Sequence, residues 1–416
     1  MKKNNRKQRK EDKEKVNKIR DLEFIYLAYG KKAFIVPIVI MVILGAVIWG
    51  IVHNIRKNNA PQETADNEKE QVNYIWGEIK PGKKNANNYT MVTSSDGVQV
   101  PVPTGYTASS ASDENSVNGG FVIYEGTDAV TDSNKWNAQC NRNQYVWIPI
   151  EDVSDMYWRD QTTGKKYGTR YTFSSSAYTK DSTSKRESQT TNKDIQSTFL
   201  TKYLNGMSRE DFLMEMEIDF DKMLNSVATY GGFYIGRYET GDLSQATPVV
   251  KRINTDLGNQ NWWQMWKKAR KLSGTSAGVQ MIWGVQWDET LKWLIDTGEK
   301  TYSEVGYRST SWGNYSNNSF TYYTNTSKST ATKAANDSTR IPSGAYEGAN
   351  ANNVFDLAGN VLDWTLESSD SGTGDGRYYR GGSYYFGYND PAANRLSQTP
   401  YDKQGRIGLR CSLFIK

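Results

Sequence analysis

The 416-residue sequence predicts an α+β domain behind a single N-terminal membrane helix, and three observations carry that prediction. Residues 33–52 (AFIVPIVIMVILGAVIWGIV) run without a charge. Beyond them, short runs rich in Val, Ile and aromatic residues alternate with Ser, Asn, Asp and Gly clusters, a pattern of strands and turns. Three further segments place apolar residues at helical spacing. Tyr and Trp are abundant (27 and 13), which favours short, half-exposed strands over a helical bundle.

At ~1.5 Å per residue the apolar run covers a bilayer core of ~30 Å. It exceeds the apolar region of a cleaved signal peptide and no small-residue cleavage site follows, so a retained anchor is expected. Residues 1–32 hold twelve Lys/Arg against five Asp/Glu. The positive-inside rule therefore keeps this basic tail cytoplasmic and sends residue 53 onward outside, giving a single-pass cell-membrane protein with an extracellular C-terminal domain. The tail also explains the net charge of +5, because 39 basic and 41 acidic side chains remain elsewhere. No basic surface for nucleic acid is implied. His53 is the only histidine, which excludes a Ser-His-Asp triad and His-rich metal sites.

Residues 53–75 read as a polar, flexible stalk. Residues 76–139 read as a small β-rich region containing VQVPVP and GGFVIYEG, with Pro101 and Pro103 confining the first to an edge or connector. YVWIPI at 145–150 is a strand, and the Ser/Thr/Lys tract at 173–194 an exposed loop. Ser208 opens a helix: it forms a near capping box with Asp211, and Phe212, Met216, Phe220 and Leu224 follow at helical spacing until Gly231-Gly232. FYIGRYETG is the next strand. Trp262, Trp266 and Ala269 share one helical face that stops by Gly274; Trp287, Leu291, Leu294 and Ile295 share another, ended by Gly298. Residues 300–345 form a long Ser/Asn/Thr/Tyr segment, which at that length is either functional or unstructured.

The C-terminal residues read NVFDLAGNVLDWT, then RYYRGGSYYFGYNDPAANRLS, then GRIGLRCSLFI. A GN-x-x-[DE]-W turn, an RGGS strand and a G-x-R-C terminus in this order resemble the formylglycine-generating enzyme (sulfatase-modifying factor) family. The resemblance implies a C-type-lectin-like fold of the formylglycine-generating type over residues 140–416. YVWIPI, FYIGRYETG and VQMIWGVQWDETLKWL extend it upstream, the last keeping the family's tryptophan and amphipathic pattern without its PTE. The family's oxidases bind copper through a cysteine pair just after RGGS. Aligned on Gly381-Gly382-Ser383, those positions hold Phe386 and Pro391, so the resemblance implies a non-catalytic member, with no copper and no catalytic residues. The rival reading is another enzyme on the same scaffold. Its candidate acids, Glu239 and Asp288, have no separation fixed by the sequence.

Two candidate sites follow. Asp356 and Asp363 can supply carboxylates, and Gly359 and Val361 carbonyls, to a calcium ion, which takes roughly six to eight oxygens. The resemblance implies calcium at these positions, with Glu more usual at the last. The alternative is a metal-free turn in which Asp356 caps backbone amides and Trp364 enters the core. The second site is aromatic: Tyr379, Tyr384, Tyr385, Phe386, Tyr388, Asn389, Asp390 and Asn394 form a candidate surface for an external protein or glycan, since Tyr gives rigid contact area at low entropic cost. The resemblance places the family's ligand pocket here. It also implies kinship with the variable proteins of diversity-generating retroelements, which randomise this C-terminal patch. The alternative is a hairpin whose aromatics pack on one another. Cys140 and Cys411 are too few for a zinc ribbon or a cysteine framework. Lectin-like folds pair their first and last strands, which would place the two cysteines for one disulfide; two separate buried thiols are the other reading.

Overall fold

The computed structural model describes residues 77–185, 201–203, 205–369, 376–387 and 390–416. The expected basic tail, membrane helix and stalk, with His53, lie outside these residues, as do Tyr388 and Asn389. Among the described residues no helix is long and apolar enough to cross a membrane.

Strands β1 (Tyr89–Thr93) and β2 (Gln99–Pro103) form an isolated antiparallel pair. Pro101 and Pro103 have no N–H to donate, which suits a two-stranded edge. Next come β3 (Tyr106–Ala108), β4 (Val122–Glu125), helix α1 (Lys135–Asn141) and β5 (Gln144–Pro149). Two hairpins intervene: β6 (Tyr157–Arg159) with β7 (Lys166–Gly168), and β8 (Arg170–Phe173) with β9 (Tyr178–Asp181).

Helix α2 (Arg209–Tyr230) begins where expected, with the Ser208 hydroxyl accepting from the Asp211 amide at 3.0 Å, and ends at Gly231 in the left-handed region (φ 80°). Its predicted face, Phe212, Met216, Phe220 and Leu224, is buried. Strand β10 (Gly232–Gly236) follows, then α3 (Trp262–Ala269), started by a reciprocal cap between Asn261 and Gln264. After β11 (Ala277–Met281), helix α4 (Gly284–Asp296) buries Trp287 and Leu291. The segment 300–345 is built rather than unstructured: it holds α5 (Tyr302–Gly306) and the hairpin β12 (Phe320–Tyr323) with β13 (Thr330–Lys333). The chain closes with β14 (Asn350–Ala351), β15 (Val354–Phe355), β16 (Leu362–Ser368), β17 (Arg377–Arg380), β18 (Arg395–Gln398), β19 (Ile407–Leu409) and β20 (Cys411–Ile415).

The main sheet is antiparallel with spatial order β11-β20-β10-β5-β4-β3. Thus β3 and β4, from the region drawn at 76–139, are strands of the same sheet as the residues after 140. A second sheet, β18-β17-β16-β19, carries the candidate sites. Trp262, Trp263, Trp283, Trp287 and Trp364 are fully buried around these layers, and the Phe212 ring lies within 5.1–6.4 Å of Trp262, Trp263 and Trp266.

This strand order corrects the disulfide expectation. Strand β10 lies between β5 and β20, so the opening and closing strands do not pair. Cys140 sits on α1 and Cys411 in β20, and both are free thiols. Cys411 accepts a hydrogen bond from Thr240 (3.3 Å), and burial pushes its thiol up to about 12.

Candidate functional site

The segment RGGS is the end of a strand followed by a tight turn. Gly381 and Gly382 adopt φ of 97° and 73°, and a Cβ on Gly382 would meet the Asp390 carbonyl at 2.3 Å. The chain therefore leaves β17 as a loop, described at 381–387 and 390–394, and returns at β18.

Main-chain atoms fix much of the path of that loop. The Tyr384 amide donates to the Asn360 carbonyl at 2.8 Å. The Phe386 carbonyl accepts from both the amide and the hydroxyl of Ser316 (2.9 and 3.0 Å). Tyr315 donates its hydroxyl to the carbonyls of Gly381 (3.1 Å) and Asp390 (2.8 Å). At the far end the Ala392 amide donates to Ser309 (2.8 Å), the Ala392 carbonyl accepts from the Trp287 indole (3.1 Å), and the Ala393 amide donates to Val305 (3.1 Å). In each of these bonds the loop contributes its backbone.

The expected surface residues divide accordingly. Tyr385 is 57% exposed, while Tyr384, Phe386, Asp390 and Asn394 are half-buried. Asn394 donates to the Asp390 carboxylate, and the rings of Tyr385 and Phe386 meet edge-on at 5.8 Å. Tyr379 is a correction. At 8% exposure it packs edge-on against Trp364 at 5.4 Å, because alternation along β17 turns it inward.

Two buried charge clusters brace the loop. In the first, Asp288 of α4 pairs with Arg380 and, at 2.7 Å, with Arg395; it also accepts the Tyr171 amide at 2.9 Å. Glu367 of β16 pairs with Arg395 at 2.9 Å and lies 3.6 Å from Arg380. Arg380 immediately precedes the loop and Arg395 immediately follows it, so Asp288 and Glu367 tie both ends together. Burial and the neighbouring Arg395 lower the Arg380 pKa, whereas at Arg395 the two carboxylates outweigh burial and raise it.

The second cluster is the turn named for calcium. Gly359 has φ 75°, and a Cβ there would strike the Asn314 carbonyl at 2.4 Å. Asp363 accepts from the Arg410 Nε at 3.0 Å. The same guanidinium donates to the carbonyls of Gly236 (2.9 Å), Phe355 (2.8 Å) and Asp356 (3.1 Å). Asp356 accepts from the Gly344 amide at 2.7 Å, and Glu239 takes the Val361 amide at 2.9 Å and the Asn360 side chain at 2.6 Å. Burial pushes Asp356 and Asp363 up to about 6 each, and with those two carboxyls as neighbours it raises Glu239 well above the usual range. This geometry does not fit calcium held by Asp356, Gly359, Val361 and Asp363. The Arg410 head already supplies the positive charge at Asp363, and Asp356 caps the Gly344 amide as in the metal-free reading. Among the described residues no group of three His, Cys, Asp or Glu is placed to hold a metal ion. Glu239 and Asp288, weighed as paired catalytic acids, fall in different clusters. The Trp287 ring lies 6.0 Å from Arg380 of the first cluster and 5.9 Å from Arg410 of the second.

Residues 266–413 match the family model of the sulfatase-modifying factor enzyme 1-like domain. The fold implied by the sequence motifs holds over this span. The sulfatase-modifying factor-type segment runs from within α3 into β20 and contains the turn, the loop and most of both clusters. Distant likenesses to solved structures include CarF (17% identity, 44% of this chain and 87% of that one, TM-score 0.29) and Treponema denticola variable protein 1 (16%, 44% and 84%, 0.29). Another is the Major Tropism Determinant M1 variant (12%, 81% and 74%, 0.24). No curated protein matches the sequence.

Sequence reasoning passed over Arg380, Arg395, Glu367 and Arg410 as site builders. Their signal was present: a charge inside a strand that must be buried requires an acid partner. It also passed over Arg406, whose guanidinium lies 5.6 Å from the Tyr385 ring centre and 5.2 Å from that of Phe386.

Proposed function

We propose that this chain is a membrane-anchored bacterial surface protein that binds an external protein or glycan through the aromatic loop 384–394. One observation carries the reading: scaffold groups hold the loop by its backbone, which leaves the side chain of Tyr385 exposed and those of Tyr384 and Phe386 half-exposed beside it. Such a loop can change side chains without changing path, which also supports retroelement diversification of this segment. In that case a template copy of the 3′ end would differ from the gene at codons for Tyr384 to Asn394. A non-enzymatic role is supported by Phe386 and Pro391 standing where the family's oxidases have copper-binding cysteines, and by Glu239 and Asp288 being spent on internal partners.

The test is to probe the full-length chain with a displayed library of random peptides and with a glycan array. Binding should be lost in the Tyr385→Ala/Phe386→Ala double variant, while stability to urea falls by no more than about 2 kcal/mol, since only Phe386 is substantially packed. Retained binding would place recognition elsewhere, and global unfolding would show that these rings belong to the core.

A further inference from the structure

Arg406 differs from three arginines that build the two clusters. Arg380, Arg395 and Arg410 each satisfy a buried carboxylate. Among the described residues Arg406 has no carboxylate within ion-pair distance, and its Nε is buried without an acceptor. Asp390 lies near enough to sense the charge, but it is held by Asn394 instead. Two rings flank the guanidinium, Tyr385 and Phe386. A guanidinium held over two rings in this way keeps its planar fork of donors, which matches a carboxylate at two points. An unmatched donor is also costly in a half-buried site until an acceptor arrives.

We infer that Arg406 makes the loop a reader of acidic protein surfaces: an Asp or Glu side chain of an external protein docks on the Arg406 edge while flanking apolar atoms cover Tyr385 and Phe386. The inference rests on the loop being a ligand-binding surface. Charge complementarity identifies the occupant, because a neutral sugar would satisfy the rings and leave the guanidinium unmatched. A cluster of Tyr, Phe and Arg has the composition of a protein-recognition hot spot.

The experiment selects random dodecapeptides on the full-length chain and on three variants, Arg406→Ala, Arg406→Lys and Arg406→Glu. Peptides selected on the parent should carry an Asp or Glu that is required for binding, with Asp→Asn or Glu→Gln in the peptide weakening it roughly tenfold to a hundredfold. Arg406→Lys should bind the same peptides less tightly, since it keeps the charge and loses the fork. Arg406→Glu should reverse the preference towards Lys and Arg, a result that loss of folding cannot imitate. Selected peptides that depend on Tyr385 and Phe386 but lack acidic residues would overturn this inference and leave the proposed function standing. Selective capture of polygalacturonate with no peptide enrichment would also overturn it, by making the ligand an acidic glycan. Absence of any loop-dependent binding would remove both readings.

Discussion

Replacing Asp288 by Asn removes one negative charge from a place where two guanidinium groups and two carboxylates are shut away from water. The Asp288 carboxylate serves Arg380, Arg395 and the Tyr171 amide at once. Asparagine keeps one acceptor oxygen and turns a donor toward a guanidinium, leaving Glu367 alone to balance both arginines. Removing one partner from a buried ion pair costs about 3–5 kcal/mol. With a urea slope of about 3 kcal/mol per M for a domain of this size, the midpoint should fall by about 1 M or more. Asp155→Asn gives the control, because the Lys180–Asp155 pair is about 40% exposed (39% and 42%) and such pairs contribute about 1 kcal/mol or less. Peptide binding should fall with Asp288→Asn as well, since both ends of the loop lose their shared anchor. If Asp288→Asn costs no more than Asp155→Asn, the cluster does not brace the loop.

Two other outcomes follow from the charge chemistry. Burial raises the Glu114 pKa, but Arg237 (2.7 Å), Ser109 and Gln139 outweigh it and hold the carboxyl down to about 2, so its contribution is full above its unfolded value near ~4.3 and disappears as pH falls through about 2. Glu114→Gln should therefore destabilise by about 3 kcal/mol at pH 7 and by clearly less at pH 3 in urea titrations; a gap constant with pH would contradict the assignment. Millimolar calcium should leave the melting temperature of the parent unchanged, whereas a rise that vanishes in the Asp356→Ala/Asp363→Ala double variant would put a cation back in the turn.

The parts legible in the sequence were those fixed by near neighbours. The α2 start at Ser208, its buried face and its stop at Gly231 depend on contacts within a few residues, and the helical reading of Trp287 and Leu291 has the same origin. The motif order around Gly359-Asn360 and Gly381-Gly382 located the site because glycine is required there by backbone crowding. What escaped was pairing at long range. Asp288 meets Arg380 and Arg395 across about a hundred positions, and no local pattern says which acid a buried arginine will find. Tyr379 looked like its neighbours until the register of β17 against β16 turned it toward Trp364. The cysteines stayed undecided between a disulfide and two thiols for the same reason, since the place of β10 in the sheet is not written near Cys140 or Cys411.

Strand β20, which follows the loop in sequence, is inserted between β10 and β11 and so occupies an inner position of the main sheet. Synthesis runs from the N-terminus, and until Cys411 to Ile415 have emerged, β11 has no strand to join and β10 lacks one of its two neighbours. Folding of this layer must therefore wait for the strand at Cys411–Ile415. A product cut short by a nonsense or frameshift error within the loop would lack the strand that joins β10 to β11, leave two strand edges open and expose them to proteases. The main sheet is therefore closed only after the loop between β17 and β18 has been made, whatever residues that loop carries.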